Sequence, residues 1–290
     1  MERVLFGDNQ FFAVNHLSDE KSRAQAMAFK DDSAIISVLD NAFDTGIKTF
    51  MCTTHDRIAS VCNHLRSNPG KYRDFKIYPC MPYAHKYANA VTELGILGAI
   101  KQYVPGNLLN TFAKGGVAFL SKDFTKLMQI LIDAEMKMFR GINTPVIFIQ
   151  NVVTDMILGL KMNEFFVEFD RYIKEKYNAE PGYITMNMPL LYDTLQSLGI
   201  RNPIICSSIN KIGFRMAGGR DIYEKYLNEM EFRPIAMQVL AAGALKPSEA
   251  IEYIGNFPKI NSVLFGASSK SHIRETKELI EKHLPVMAGN

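Results

Sequence analysis

The sequence predicts a (β/α)₈ TIM barrel, and two observations support that prediction. Short apolar runs of strand length recur along the 290 residues, and amphipathic stretches of helical length separate most of them. The runs are almost continuously apolar, which is typical of parallel strands buried on both faces. A barrel of this class needs about 250 residues. We therefore predict one domain over residues 1–290, with room for one insertion.

Eight candidate strands alternate with helices. The strands are residues 4–8, 49–53, 76–81, 146–151, 183–187, 204–207, 235–239 and 262–265. The helices are residues 33–45, 57–68, 163–177, 190–199, 221–230, 247–256 and 271–283. Asp32 and Pro247 suit helix starts, and Gly46 and Gly199 suit helix ends. A closed barrel is favoured over an open doubly wound sheet, because the turn after the first strand lacks a GxGxxG pattern.

One interval breaks the alternation. Residues 91–144, between the third and fourth strands, are far longer than a single connecting helix and contain a helical stretch at 124–139. Their length and apolar content predict an ordered helical insertion rather than a disordered linker. A lid over the barrel, an oligomer contact and extra packing helices are all compatible with that pattern.

Composition narrows the class of protein. A net charge of +3 with scattered Lys and Arg excludes a nucleic-acid-binding role. No window has the roughly 18 uninterrupted apolar residues of a membrane span, and no secretory signal pattern follows Met1. The four cysteines lie far apart, which predicts reduced thiols. We therefore expect a cytoplasmic enzyme that acts on a small molecule; whether it forms a homo-oligomer is left open.

Polar residues follow most of the predicted strands, where a barrel places its working face. The candidates for substrate binding are Asp8, Asn9, His16, Asn151, Asn187 and Gln238. His16, His55 and His85 follow the first three strands, and with a carboxylate they could bind zinc or manganese. No HxH or HxxxH pair supports a metal site, so a divalent metal is the lesser alternative. The other reading is that each histidine only orders its loop.

Two segments carry the densest chemistry. Tyr83, His85 and Lys86 follow the third strand, and His55 and Asp56 follow the second. A lysine at an apolar barrel mouth can act as a base or nucleophile, and a tyrosine beside a cation can protonate a carbonyl oxygen. We predict that these five residues form the catalytic set. The alternatives are packing over the barrel rim and, for Asp56, a helix N-cap.

The last strand leads into a turn of small residues and then a helix. Backbone amides in such a turn, together with the helix N-terminus, form a binding site for anions. Phosphate groups in barrels most often bind after the last two strands. Gly266, Ser268, Ser269 and Lys270 are the candidate ligands, and Arg274 can reach the same place from the helix.

Three segments resemble the aldo-keto reductase superfamily of NAD(P)-dependent oxidoreductases. Residues 38–50 are similar to its first helix and second strand, residues 234–245 to its seventh strand and loop, and residues 262–280 to its last strand and cofactor-phosphate turn. The resemblance implies a barrel that binds NADP or NAD through the last two turns. It adds Gly243 to the cofactor-binding candidates, with Lys270 and Arg274 nearest to the family's phosphate arginine.

The same resemblance exposes a departure. The family's catalytic tetrad is an Asp after the second strand, a Tyr shortly beyond it, a Lys ending the third strand and a His ending the fourth. The corresponding positions here fall at Met51, at His55 or Asp56, near Met81 and near Asn151. None of the four is carried over.

Three functions therefore stay open. The first is an aldo-keto-reductase-like enzyme that acts on a small carbonyl or phosphorylated metabolite with the displaced set of residues. The second is a non-redox lyase, isomerase or metal-assisted hydrolase acting on a phosphorylated or nucleotide-bearing substrate. The third is a non-catalytic nucleotide-binding barrel, which the density of polar residues on the first strand ends disfavours.

Overall fold

The structure is a computed structural model that describes residues 1–12, 19–83 and 121–284. Eight parallel strands close into a barrel in chain order, and β1 pairs with β8 to complete the ring. The strands are β1 Val4–Phe6, β2 Thr49–Thr53, β3 Lys76–Met81, β4 Val146–Ile149, β5 Glu180–Thr185, β6 Ile204–Ser208, β7 Arg233–Met237 and β8 Ser262–Phe265. The predicted (β/α)₈ barrel is confirmed.

Helices surround the barrel. Within the described ranges they are α1 Asp19–Ala28, α2 Asp32–Asp44, α3 Ile58–Ser67, α4 Ser121–Met136, α5 Asn151–Leu160, α6 Glu164–Tyr177, α7 Met188–Ser197, α8 Arg220–Glu229, α9 Pro247–Gly255 and α10 Lys270–His283. All seven predicted helices are present, and Gly46 and Gly199 follow α2 and α7 with φ of 90° and 79°. None of the helices described is long and apolar enough to cross a membrane.

Two helices were missed in the sequence. Helix α1 is mostly polar, and α5 begins at Asn151, which the strand pattern had assigned to the end of the fourth strand. Helix α4 and a 3₁₀ turn at Lys137–Phe139 cover the helical stretch predicted within the insertion. The earlier part of the predicted insertion, residues 91–120, lies outside the described residues.

Each strand divides its side chains between two cores. Inward-facing residues such as Met51, Cys80 and Ile184 fill the barrel, while alternate residues pack against the helices. Gly182 of β5 lies beside Phe148 of β4, and a Cβ at Gly182 would overlap the Phe148 ring. The strand therefore needs glycine here, although glycine and the adjacent proline disfavour strand structure. This explains why the predicted fifth strand began three residues late.

Candidate functional site

The described part of the chain has a cavity of about 540 Å³ at the C-terminal ends of the strands. Inward-facing apolar side chains of the barrel form its floor, among them Met51, Ile184, Met237 and Leu264. Its walls come from residues that follow β1, β3, β4, β6, β7 and β8. Ligand sites commonly enclose about 300–1,000 Å³, so the cavity has the size and the place of a substrate or cofactor site.

Asp8 brings a buried carboxyl group to this cavity. It is only 6% exposed and lies two residues beyond β1. Its Oδ2 accepts hydrogen bonds from the Thr53 amide at 2.8 Å and the Thr53 hydroxyl at 2.6 Å. Burial raises the pKa of the carboxyl, and the hydrogen bonds from Thr53 oppose that rise. Asp8 and its neighbour Asn9, both predicted to bind substrate, line the cavity.

Tyr83 and His55, two members of the predicted catalytic set, lie close together. Their ring centroids are 5.7 Å apart, and His55 stacks on Phe12 at 4.1 Å with an interplanar angle of 10°. Phe12 and Tyr83 line the cavity. The His55 Nδ1 accepts a hydrogen bond from the Arg57 amide at 3.2 Å, which leaves Nε2 as the nitrogen that carries the proton in the neutral ring. Burial raises the pKa of the Tyr83 phenol.

Glu135 of α4 holds the segment after β3 in place, and no sequence pattern had indicated it. The side chain is 3% exposed. Its carboxylate accepts hydrogen bonds from the Thr54 hydroxyl at 2.5 Å and from the Tyr83 amide at 3.2 Å. A single buried carboxylate thus joins the residues that follow β2 and β3 to the insertion helix.

The ends of β2, β3 and β4 carry the positions of the family's catalytic tetrad. Met51 lines the cavity, and on β3 the inward residue is Cys80, whereas Met81 faces the helices. On β4 the cavity receives Gln150 and Asn151, with the buried Gln150 amide bonded to the Met81 carbonyl at 3.0 Å. The strand ends therefore offer the thioether of Met51, the thiol of Cys80 and the side-chain amides of Gln150 and Asn151. The resemblance places an acid, a lysine and a histidine at these strand ends.

The turn after β7 holds an unusual backbone. The φ angles are 53° at Gln238, 46° at Ala241, 57° at Ala242 and 96° at Gly243. Non-glycine residues in this left-handed region cost of order 1 kcal/mol each and occur at binding sites more often than elsewhere. The amides of Leu240 and Ala242, which line the cavity, have no backbone acceptor among the described residues. Amides exposed in this way form concave sites for anions.

The turn after β8 borders the same cavity. Gly266 lines it, and a Cβ at this position would overlap the carboxamide of Gln10, which is buried over the turn. The amides of Ala267 and Ser268 make no hydrogen bond with a described carbonyl group. The Ser269 hydroxyl accepts a hydrogen bond from the His272 amide and so caps the N-terminus of α10.

Lys270 and Arg274 are exposed on the first turns of α10. Neither lies among the residues that line the cavity, and the Arg274 guanidinium is 3.9 Å from the Glu278 carboxylate. They remain candidates for a phosphate that extends from the β8 turn over the helix N-terminus.

The loop after β6 brings in Arg215, which sequence reasoning missed. Asn210 is fully buried and both donates to the Phe214 carbonyl and accepts from the Phe214 amide, each at 2.8 Å. Phe214 packs against Ala241 and Leu245 beyond β7. Arg215 follows with φ of 55° and lines the cavity. Its guanidinium carbon lies 5.6 Å from the centre of the Phe214 ring, and it makes no ion pair with a described carboxylate.

The remaining predicted residues separate into two groups. Asn187 caps α7 by accepting from the Leu190 amide at 3.4 Å, and Asp56 is exposed; neither lines the cavity. Gln238 lines it and accepts from the Ser208 hydroxyl at 2.6 Å. His16, His85 and Lys86 lie outside the described residues. Across the ranges that the structure describes, no group of three or more His, Cys, Asp or Glu side chains could hold a metal ion.

Several solved structures assigned to the aldo-keto reductases have a similar fold. A protein of Pseudomonas aeruginosa assigned to the aldo-keto reductases superposes with a TM-score of 0.59 at 11% identity, covering 97% of this chain and 90% of that one. An aldo/keto reductase from Brucella melitensis gives 0.51 at 10% identity, covering 88% and 86%. A protein assigned as a 2,5-diketo-D-gluconic acid reductase B gives 0.55 at 8% identity, covering 97% and 83%. The chain has the aldo-keto reductase fold.

Sequence comparison adds no closer relationship, because no protein-family model and no curated protein matches the chain. The aldo-keto reductase fold is therefore kept on a sequence in which every tetrad position differs.

Proposed function

We propose that this barrel is an NAD(P)-dependent oxidoreductase that interconverts a small carbonyl compound and the corresponding alcohol with a non-standard set of residues. The observation that carries the proposal is a shared cavity. Amide-rich turns after β7 and β8 border it, and so do the buried acid of Asp8 and the half-buried phenol of Tyr83. The aldo-keto reductase fold of the chain agrees with a cofactor bound in this cavity.

The residues present fit a dinucleotide. The left-handed turn at Gln238–Gly243 and the turn that begins at Gly266 contain amides with no backbone acceptor among the described residues, and such amides can bind a diphosphate. Arg215 adds a positive charge within the cavity lining, and Lys270 adds one at the N-terminus of α10. These residues would hold the phosphates of NADP or NAD. Small side chains at Ala242 and Gly243 leave room for the ligand to approach the backbone.

A bound nicotinamide would supply a hydride to a carbonyl carbon or accept one from an alcohol. The chain's own residues then have two tasks. Met51, Cys80 and Met237 form an apolar floor that excludes water from the reacting atoms. Tyr83 is a neutral phenol near pH 7, since its ordinary pKa is about 10 and burial raises it further, and it can donate a hydrogen bond to the substrate oxygen. His55, itself stacked on Phe12, packs against the Tyr83 ring.

Dinucleotide titration tests the proposal. When the protein is added, the fluorescence of NADPH and NADH should be quenched or shifted, with micromolar affinity. ADP-ribose, which cannot be turned over, should also bind when measured by calorimetry. Gly266→Val, which disturbs Gln10 and the β8 turn, should weaken binding by about tenfold or more. Gly70→Val is the matched control, because a Cβ there meets nothing within 4 Å.

Absence of binding by NADPH, NADH and ADP-ribose would refute the proposal. Binding of all three without reduction of any carbonyl compound would favour the non-redox enzyme or the nucleotide-binding barrel instead.

A further inference from the structure

The proposed reaction needs a proton donor beside the carbonyl oxygen. His55 and Asp56, at one tetrad position, are not among the residues that line the cavity, and the tetrad positions that do line it supply no donor. Met51 carries a thioether and Gln150 an amide, neither of which transfers protons near neutral pH. Burial raises the pKa of the Cys80 thiol well above its usual range, so it too keeps its proton. Of the described strand ends, β1 alone places a buried carboxyl group, Asp8, in the cavity lining.

The hydrogen bonds of Asp8 distinguish its two oxygens. Both Thr53 donors, the amide and the hydroxyl, point to Oδ2. A carboxylic acid accepts at its carbonyl oxygen and carries the proton on the other oxygen. When Asp8 is protonated, Oδ2 is therefore the carbonyl-like oxygen and Oδ1 carries the hydrogen. The protein thus fixes which oxygen is available to donate.

The surroundings of Asp8 favour that neutral state. The described groups around the carboxyl are Thr53, the thiols of Cys52 and Cys80, and the Tyr83 phenol, and none of them is cationic. Desolvation disfavours a buried carboxylate that lacks a positive partner. Two hydrogen bonds from Thr53 and one from the backbone amide of Asp8 itself oppose this, so Asp8 can lose its proton during turnover and regain it afterwards.

We propose that Asp8 is the proton donor of the reaction, delivering the Oδ1 proton to the carbonyl oxygen of the substrate. This inference rests on the proposed oxidoreductase function. In the reduction, a C–H bond forms by hydride addition from a reduced nicotinamide, an O–H bond forms at the substrate oxygen, and the Asp8 O–H bond breaks. The products are the alcohol, the oxidised nicotinamide and the Asp8 carboxylate, which takes a new proton from water. In alcohol oxidation Asp8 acts as the base.

Asp8 is better suited to this role than Tyr83. Efficient proton transfer requires a donor whose pKa lies near the working pH. Burial moves the Asp8 pKa up from 3.8 towards neutrality, whereas it moves the Tyr83 pKa up from 10.0 and further from neutrality. Tyr83 then serves as a hydrogen-bond donor that orients the substrate oxygen.

The chain offers a matched control in Asp155. Its carboxylate likewise accepts from a threonine hydroxyl, that of Thr185 at 2.5 Å, and from a backbone amide, that of Met186 at 3.1 Å. Burial raises its pKa as well. Asp155 is absent from the cavity lining. A comparison of Asp8→Asn with Asp155→Asn therefore separates the loss of a hydrogen-bonded, at least half-buried carboxyl group from the loss of a proton donor.

The first test needs no turnover. Infrared difference spectra of wild type against Asp8→Asn should show a protonated carboxyl stretch that persists above the range in which a free aspartate side chain ionises and disappears as the pH rises further. Thr53→Val removes one donor to the carboxylate and should move that transition to higher pH, which also serves if Asp8→Asn folds poorly. A carboxylate signal at every pH above about 4.5, a value near that of a free side chain, would overturn the proposal.

The second test uses NADPH with 4-nitrobenzaldehyde as the carbonyl probe. Asp8→Asn should bind NADPH with unchanged affinity and reduce the probe about 10²- to 10⁴-fold more slowly. The wild-type rate should fall as the pH rises through the Asp8 transition, and Asp155→Asn should keep that profile. Reduction by Asp8→Asn at the wild-type rate would overturn the proposal. Failure of wild type to bind NADPH would instead refute the oxidoreductase function, with the infrared result standing separately.

Discussion

Replacement of Asn210 by alanine should loosen the loop that presents Arg215 to the cavity. Asn210 is fully buried after β6 and makes a reciprocal pair of hydrogen bonds with the Phe214 backbone. No other side chain among the described residues bonds to that backbone. The loop has a strained residue next to it, because Arg215 has φ of 55°. Without the amide, the chain can relax away from this conformation.

The expected loss can be worked out from these contacts. Two net hydrogen bonds contribute about 1 kcal/mol each, and the half-buried Phe214 groups left without a partner add about 1 kcal/mol. The free energy of unfolding should therefore fall by about 3 kcal/mol. An unfolding entropy of about 2.1 cal/mol/K per residue amounts to about 0.6 kcal/mol/K over this chain, so Tm should fall by about 5 °C.

Differential scanning calorimetry and urea unfolding measure both quantities. Asn261→Ala is the control, because the Asn261 side chain makes no hydrogen bond with a described residue, and it should change the stability by less than about 0.5 kcal/mol. ADP-ribose affinity should also fall in Asn210→Ala and stay constant in the control. An Asn210→Ala protein as stable as wild type would show that the reciprocal pair does not hold the loop.

Three further outcomes follow from the same structure. Arg215→Ala should weaken ADP-ribose binding about 10- to 100-fold, the value of a charged hydrogen bond, with a smaller salt dependence in calorimetry; Arg201→Ala, on the surface, should not. Gly182→Ala should cost about 2 kcal/mol in urea unfolding, because the new methyl group overlaps the buried Phe148 ring. Asp8 has a raised pKa in the folded state, so its contribution to stability is complete below 3.8 and is lost as the pH rises through the folded value. Urea titrations of wild type against Asp8→Asn should diverge over that window, and parallel curves would contradict the buried acid.

The sequence predicted strands correctly where a local run of apolar side chains is enough to specify a buried strand. Short, mainly apolar runs such as residues 49–53 and 262–265 are typical of strands buried on both faces, and both strands have the predicted bounds. The fifth strand began late because Gly182 is required by the Phe148 ring of the neighbouring strand. Helix α5 was missed because Asn151 lies beside an apolar run, and periodicity cannot show where a strand gives way to a helix.

The candidate site was predicted only in part. The positions of Asp8, Tyr83, Gln238 and Gly266 follow from the rule that strand ends meet at one face of a barrel. Glu135 was not predictable, because its partner, the Tyr83 amide, is 52 residues away in sequence and belongs to another element.

The sequence by itself determined the barrel, the place of its working face and the likeness to the aldo-keto reductases. Local periodicity, glycine positions and turn composition carry that information, because they depend on neighbouring residues. Only the tertiary structure decided that Cys80 rather than Met81 faces the cavity and that Thr53 donates to one oxygen of Asp8. It also decided that Arg215 lines the same cavity as the turn after β7. These facts depend on register and on contacts between distant segments, which burial and hydrogen bonding settle only when the barrel closes.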